Sequence, residues 1–167
     1  AINGAAGKNT NENIEFANNL MFGGPIRLIE HYLPKMKERK SGRIVIISSI
    51  GALIPMPKSA IYAAVKSGIY AYGVSLNEEL RNDNISVTVS LPGYVQTNIH
   101  KRSGLEHLTK QIPSWMWVSS EQVVKETEIA SIKGYSKVIP GMLYRVASIF
   151  FNLKISKFIW KLMNGRN

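Results

Sequence analysis

Two short runs of β-branched residues, "RIVIISS" from Arg43 to Ser49 and "ISVTVSL" from Ile85 to Leu91, stand on either side of a long helical pattern. That pattern runs from Ala60 to Leu80 and is rich in alanine and glycine on one side. A strand, a helix and a second strand in this order form a crossover unit, which makes the two strands parallel. Runs of Val and Ile without strict alternation suit strands covered on both faces. The feature therefore predicts an α/β domain built on a parallel sheet.

The flanking segments extend this order. Ala1 to Gly7 reads as a strand end and a tight turn, and Asn9 to Asn13 as a loop. Apolar residues recur at helical spacing from Ile14 to Met36 (Phe16, Leu20, Ile26, Leu28, Ile29, Leu33), and Pro25 should kink or split that helix. Asn98 to Val118 reads as irregular. Ser119 and Gln122 form a capping-box pattern that opens another helix, which Gly134 ends. "YSKVIPG" reads as a last short strand, and Gly141 opens a long amphipathic stretch. No internal repeat is present.

The 167 residues, 45% of them hydrophobic, are enough for one domain with a core. Without cysteine there is no disulfide and no thiolate zinc site, which fits a reducing compartment, and we expect a cytoplasmic protein. No run approaches the roughly 18 apolar residues of a spanning helix. The net charge of +10 is concentrated at the end: after Glu128 come Lys133, Lys137, Arg145, Lys154, Lys157, Lys161 and Arg166 and no acid. This points to an acidic partner for the tail, a membrane surface or nucleic acid, and does not make the whole domain a nucleic-acid binder.

Among the tyrosines only Tyr62 has a lysine, Lys66, four residues on. On a helix this puts phenol and ammonium one turn apart on one face. Ser49 ends the strand before that helix, and "LPGYVQT", Leu91 to Thr97, follows the next strand. The ordered set of "GAAG" at Gly4 to Gly7, "RIVIISSIGA", "YAAVK" and "LPGYVQT" resembles the short-chain dehydrogenase/reductase family, over most of the chain from Ala1 to about Gly141.

The resemblance implies a doubly wound NAD(P)-binding fold of Rossmann type and hydride transfer between a carbonyl compound and an alcohol. It implies Ser49, Tyr62 and Lys66 as the catalytic group. Tyr62 would exchange the proton with the substrate oxygen, Ser49 would hydrogen-bond that oxygen, and Lys66 would also contact the nicotinamide ribose. Ala6, Gly7, Pro92, Gly93, Val95 and Thr97, with Tyr62 and Lys66, would hold NAD or NADP, with NADP favoured by analogy. An ammonium near the phenol should lower its pKa from about 10. The family also forms homodimers or tetramers, often through its two long helices.

Two departures stand out. Where the family usually carries an asparagine that holds a proton-relay water, "MFGGPIRL" places Met21. The glycine-rich turn that holds the cofactor pyrophosphate does not occur. The chain therefore reads as the C-terminal portion of such an enzyme, lacking the first three strands, with a catalytic part at 1–141 and a basic tail helix at 142–167. A truncated, non-catalytic remnant or binding protein with a membrane-surface tail is the alternative.

Trp115, Met116 and Trp117 read as an apolar lid for a hydrophobic carbonyl, or as core. His31, His100 and His107 lack metal-ligand spacing, so no metal is expected. In the tail, Lys154, Lys157 and Lys161 share one helical face, and Ile155, Phe158, Ile159 and Leu162 lie on another, as in an interfacial helix.

Overall fold

The computed structural model describes residues 6–97 and 112–151. The expected strand end at 1–5, the lid histidines His100 and His107, and the basic tail positions from Lys154 onward lie outside the described residues. In chain order the elements are α1 (Asn11–Asn18), a π-helical turn (Asn19–Gly23), α2 (Gly24–Glu38), β1 (Gly42–Ile47), α3 (Ala60–Glu79) and β2 (Ile85–Ser90). There follow β3 (Tyr94–Gln96), β4 (Trp117–Ser119), α4 (Ser120–Ile132), β5 (Lys137–Val138) and α5 (Met142–Phe151).

The sheet is parallel in the order β1-β2-β5, with Gly42 opposite Ile85 and Ile47 opposite Ser90. Helix α3 is the crossover. Its buried residues Val65, Ile69, Gly73 and Leu76 recur every three or four positions and form one stripe against the sheet. Ile46, Ile85, Val87, Val89 and Leu91 meet that stripe, with Leu33 of α2, in the main core. Strand β2 is buried along almost all its length, as a central parallel strand should be.

Strand β1 is not. Its residues alternate, and Val45 and Ile47 are 41% and 54% exposed. The β-branched run led us to expect a strand buried on both faces. Among the described residues β1 is an edge strand, so only its Ile44 and Ile46 face is packed.

The helix expected over Ile14 to Met36 is split, as Pro25 requires. Pro25 has no amide to offer the Met21 carbonyl four residues back, and its ring would crowd that carbonyl. The chain widens by one π turn instead, and the Gly24 amide reaches the Asn19 carbonyl. The turn is seated on α3 by Phe22, whose ring lies where a side chain at Gly68 would have to go: a Cβ there would stand 2.9 Å from Phe22 Cε2.

Trp117 corrects the irregular reading of Asn98 to Val118. It begins β4, which pairs parallel with β3 (Tyr94 opposite Trp117) in a second, small sheet. The cap at the next helix forms as expected, with the Gln122 amide donating to Ser119 Oγ at 3.1 Å. Gly134 takes a φ of +71° just after the α4 cap. No described helix is long and apolar enough to cross a membrane.

Candidate active site

Parallel register brings the ends of β1 and β2 together. The ladder continues past both strands: the Ser48 amide donates to the Ser90 carbonyl at 2.8 Å, and the Ile50 amide to the Pro92 carbonyl at 2.9 Å. Ser49 and the Pro92-Gly93 turn therefore share the carboxyl edge of the sheet, where open α/β sheets bind their ligands.

Ser49 is extended (φ −163°), and its Oγ accepts the Gly51 amide at 3.1 Å, capping a short 3₁₀ turn. Ser49 Oγ and the Tyr62 ring meet beside Gly51: a Cβ there would stand 3.4 Å from Ser49 Oγ and 3.5 Å from Tyr62 Cε1. Tyr62 lies in the first turn of α3, and Lys66 follows one turn later with Nζ 5.9 Å from the Tyr62 ring centroid. The three residues expected to form the catalytic group thus come together.

The electrostatics differ from the expectation. Burial pushes the Tyr62 phenol above its ordinary value, and the nearby Ser49 hydroxyl offsets this only in part. Lys66 does not depress it. Its ammonium stands over the ring rather than at the oxygen, and donates to the Ile47 carbonyl at 3.0 Å. Burial in turn lowers the Lys66 pKa. Desolvation disfavours both charged forms. Burial therefore favours the protonated phenol.

Ser48, to which no role was assigned, fixes this arrangement. It is buried, and its Oγ donates to the Lys66 carbonyl at 2.8 Å. Lys66 thus contacts the end of β1 through both its backbone and its side chain. Ser67 adds a third tie, from its Oγ to the Ala52 carbonyl at 2.9 Å.

Of the residues expected to hold a cofactor, Pro92 is buried, Gly93 and Val95 are half-buried, and Thr97 is exposed. Ala6 and Gly7 form an exposed turn ahead of α1, and the Gly7 φ of +78° accounts for its glycine. A Cβ at Gly7 would meet nothing within 4 Å, so its backbone is open to approach. Met21 lies half-buried within the π turn. Trp115 is 67% exposed, whereas the Trp117 ring packs 5.7 Å from the Tyr94 ring. No cluster of potential metal ligands occurs among the described residues.

A parallel α/β sheet with a serine, tyrosine and lysine gathered at its carboxyl edge defines a class, and comparison with known proteins gives the same one. The family model for short chain dehydrogenases matches residues 2–107. The chain belongs to this family. It is 45% identical over 76 residues to dehydrogenase/reductase SDR family member 7B of Rattus norvegicus, a stretch covering 46% of this chain and 23% of the relative. For the Danio rerio protein of the same name the identity is 42% over 76 residues, covering 46% and 25%. The aligned part is thus about a quarter of each relative.

Among solved structures, a 7β-hydroxysteroid dehydrogenase superposes with a TM-score of 0.80 at 17% identity, covering 96% of this chain and 62% of that one. A gluconate 5-dehydrogenase from Burkholderia cenocepacia, in complex with NADP and tartrate, gives 0.72 at 14% identity, covering 86% and 60%. These likenesses establish the fold.

Proposed function

We propose that this chain carries the catalytic part of an NAD(P)-dependent oxidoreductase that interconverts a hydrophobic ketone or aldehyde and its alcohol. The observation that carries the reading is the gathering of Ser49, Tyr62 and Lys66 at the carboxyl edge of the sheet, with Ser49 and Tyr62 meeting beside Gly51 and Lys66 Nζ 5.9 Å from the Tyr62 ring centroid. In the reduction direction, Tyr62 donates its proton to the carbonyl oxygen as a general acid. Ser49 bonds the same oxygen and orients the carbonyl. Lys66, held by the Ile47 carbonyl and by Ser48, would bond the ribose of the nucleotide.

A bound nicotinamide supplies the hydride in reduction and takes it in oxidation. Pro92, Gly93, Val95 and Thr97, with Ala6 and Gly7, would hold the nucleotide, and the solved neighbour bound to NADP supports NADP as the preferred form. The body of the catalytic part is 1–141 with the basic tail at 142–167, although Tyr144 of the tail is buried in the body. Leu28 and Tyr32, 60% and 51% exposed on α2, support a homo-oligomer.

The test is NADPH oxidation by the intact protein against a panel of hydrophobic ketones and aldehydes. Tyr62→Phe is expected to lower turnover by about 10²–10⁴-fold with nucleotide affinity nearly unchanged. Undiminished turnover in that variant would sink the mechanism.

A further inference from the structure

The first turn of α5 reaches back over the site. The Tyr144 side chain is buried, 6% exposed, in a small core with Val118 and Val123, against which Ile50 and Val95 pack. Ile50 is the neighbour of Ser49, and Val95 belongs to the strand after the Pro92-Gly93 turn. The Tyr144 hydroxyl accepts the Tyr94 amide at 3.1 Å and donates to the Met116 carbonyl at 2.6 Å. One phenol thus joins the head of β3 to the residue that precedes β4.

A tyrosine at the start of an apolar helix has a bland use as a packing residue, and the Tyr144 ring serves it. The hydroxyl does more. It satisfies one backbone donor on β3 and one backbone acceptor just ahead of β4, and it ties the two together. The helix that carries it is anchored independently. Glu126 of α4 accepts the Gly141 amide at 3.2 Å and the Arg145 guanidinium at 2.6 Å.

We propose that Tyr144 is a positioning residue for cofactor binding: from the tail helix it fixes the Gly93–Gln96 segment in the place where that segment receives the nicotinamide end of the nucleotide. The proposal rests on the oxidoreductase reading above. It makes the bridging hydroxyl of Tyr144, rather than the packing of the C-terminal helix as a whole, a determinant of cofactor affinity.

The experiment titrates NADPH and NADH into the intact protein and reads amide exchange at Tyr94 alongside, in wild type, Tyr144→Phe and Arg145→Gln. The Phe variant keeps the ring and removes only the bridging hydroxyl. It is expected to raise the Kd of the tighter nucleotide about fivefold or more and to speed Tyr94 exchange about tenfold, with kcat at saturation changed much less. Arg145→Gln loosens the same helix without touching the segment, and should leave both Kd and Tyr94 exchange as in wild type. A wild-type Kd in Tyr144→Phe overturns the proposal, as does an equal rise in Arg145→Gln, which would assign the effect to general loosening of the helix. Wild-type protein that binds neither nucleotide overturns the oxidoreductase reading itself, an outcome distinct from either of these.

Discussion

Gly93 lies under the ring of Tyr144: a Cβ built on Gly93 would stand 2.1 Å from Tyr144 Cζ. No side chain fits there unless the ring leaves, and the hydroxyl on that same carbon is held by Tyr94 and Met116. Gly93→Ala is therefore expected to cost about 1–3 kcal/mol of stability through overpacking. The shift in denaturant midpoint measures it. An alanine variant as stable as wild type would show that the ring yields easily.

The carboxylate of Glu126 serves three donors at once: the Gly141 amide, Arg145 and, through its other oxygen, the Gln122 side-chain amide at 2.7 Å. Glu126→Ala removes all three. We expect a loss of about 1–3 kcal/mol, centred on α5, which would be read as faster proteolysis at the Ile139 to Tyr144 turn. The same variant should leave the exchange of α3 amides unchanged, because α3 packs in the other core.

Met21 sits in the π turn, at the position where the resemblance to the family would put a relay asparagine. A thioether offers only a weak acceptor in place of an amide. Met21→Asn is expected to raise turnover with little change in melting temperature, since the residue is only half-buried. Steady-state rates at saturating nucleotide check this. A neutral or lower rate would place the relay elsewhere, with Asn18, three residues back, a candidate.

Burial raises the pKa of three phenols, Tyr62, Tyr72 and Tyr144, and at Tyr72 the hydrogen bond to Glu30 at 2.7 Å raises it further. In each case the folded value lies above the unfolded one. Below about pH 10 both states keep the proton and stability does not depend on these groups. Above it the unfolded chain releases protons that the folded chain retains, so stability falls as pH rises. Lys66, whose pKa is lowered, acts with the opposite sign just below its unfolded value. Melting temperature should therefore drop above about pH 10, and less steeply in Tyr72→Phe. Parallel slopes for the two proteins would show that Tyr72 takes no part.

What the sequence by itself determined is local in origin. The β-branched runs, the stripe of α3, the Ser119 cap and the break at Pro25 each depend on residues within a few positions of one another. Spacing alone placed Tyr62 and Lys66 one turn apart, and the resemblance supplied Ser49 as their partner. The tertiary structure decided what depends on neighbours distant in the chain. It set the direction of the Tyr62 pKa, because desolvation sums over everything packed around the phenol. It also decided that Lys66 bonds the Ile47 carbonyl rather than the phenol, that Ser48 holds the Lys66 backbone, and that Val45 and Ile47 face outward. The seating of Tyr144 on Gly93 left no pattern in either segment: a glycine after a proline reads as a turn, and a tyrosine in an apolar helix reads as core. Only the approach of the two segments shows that each requires the other.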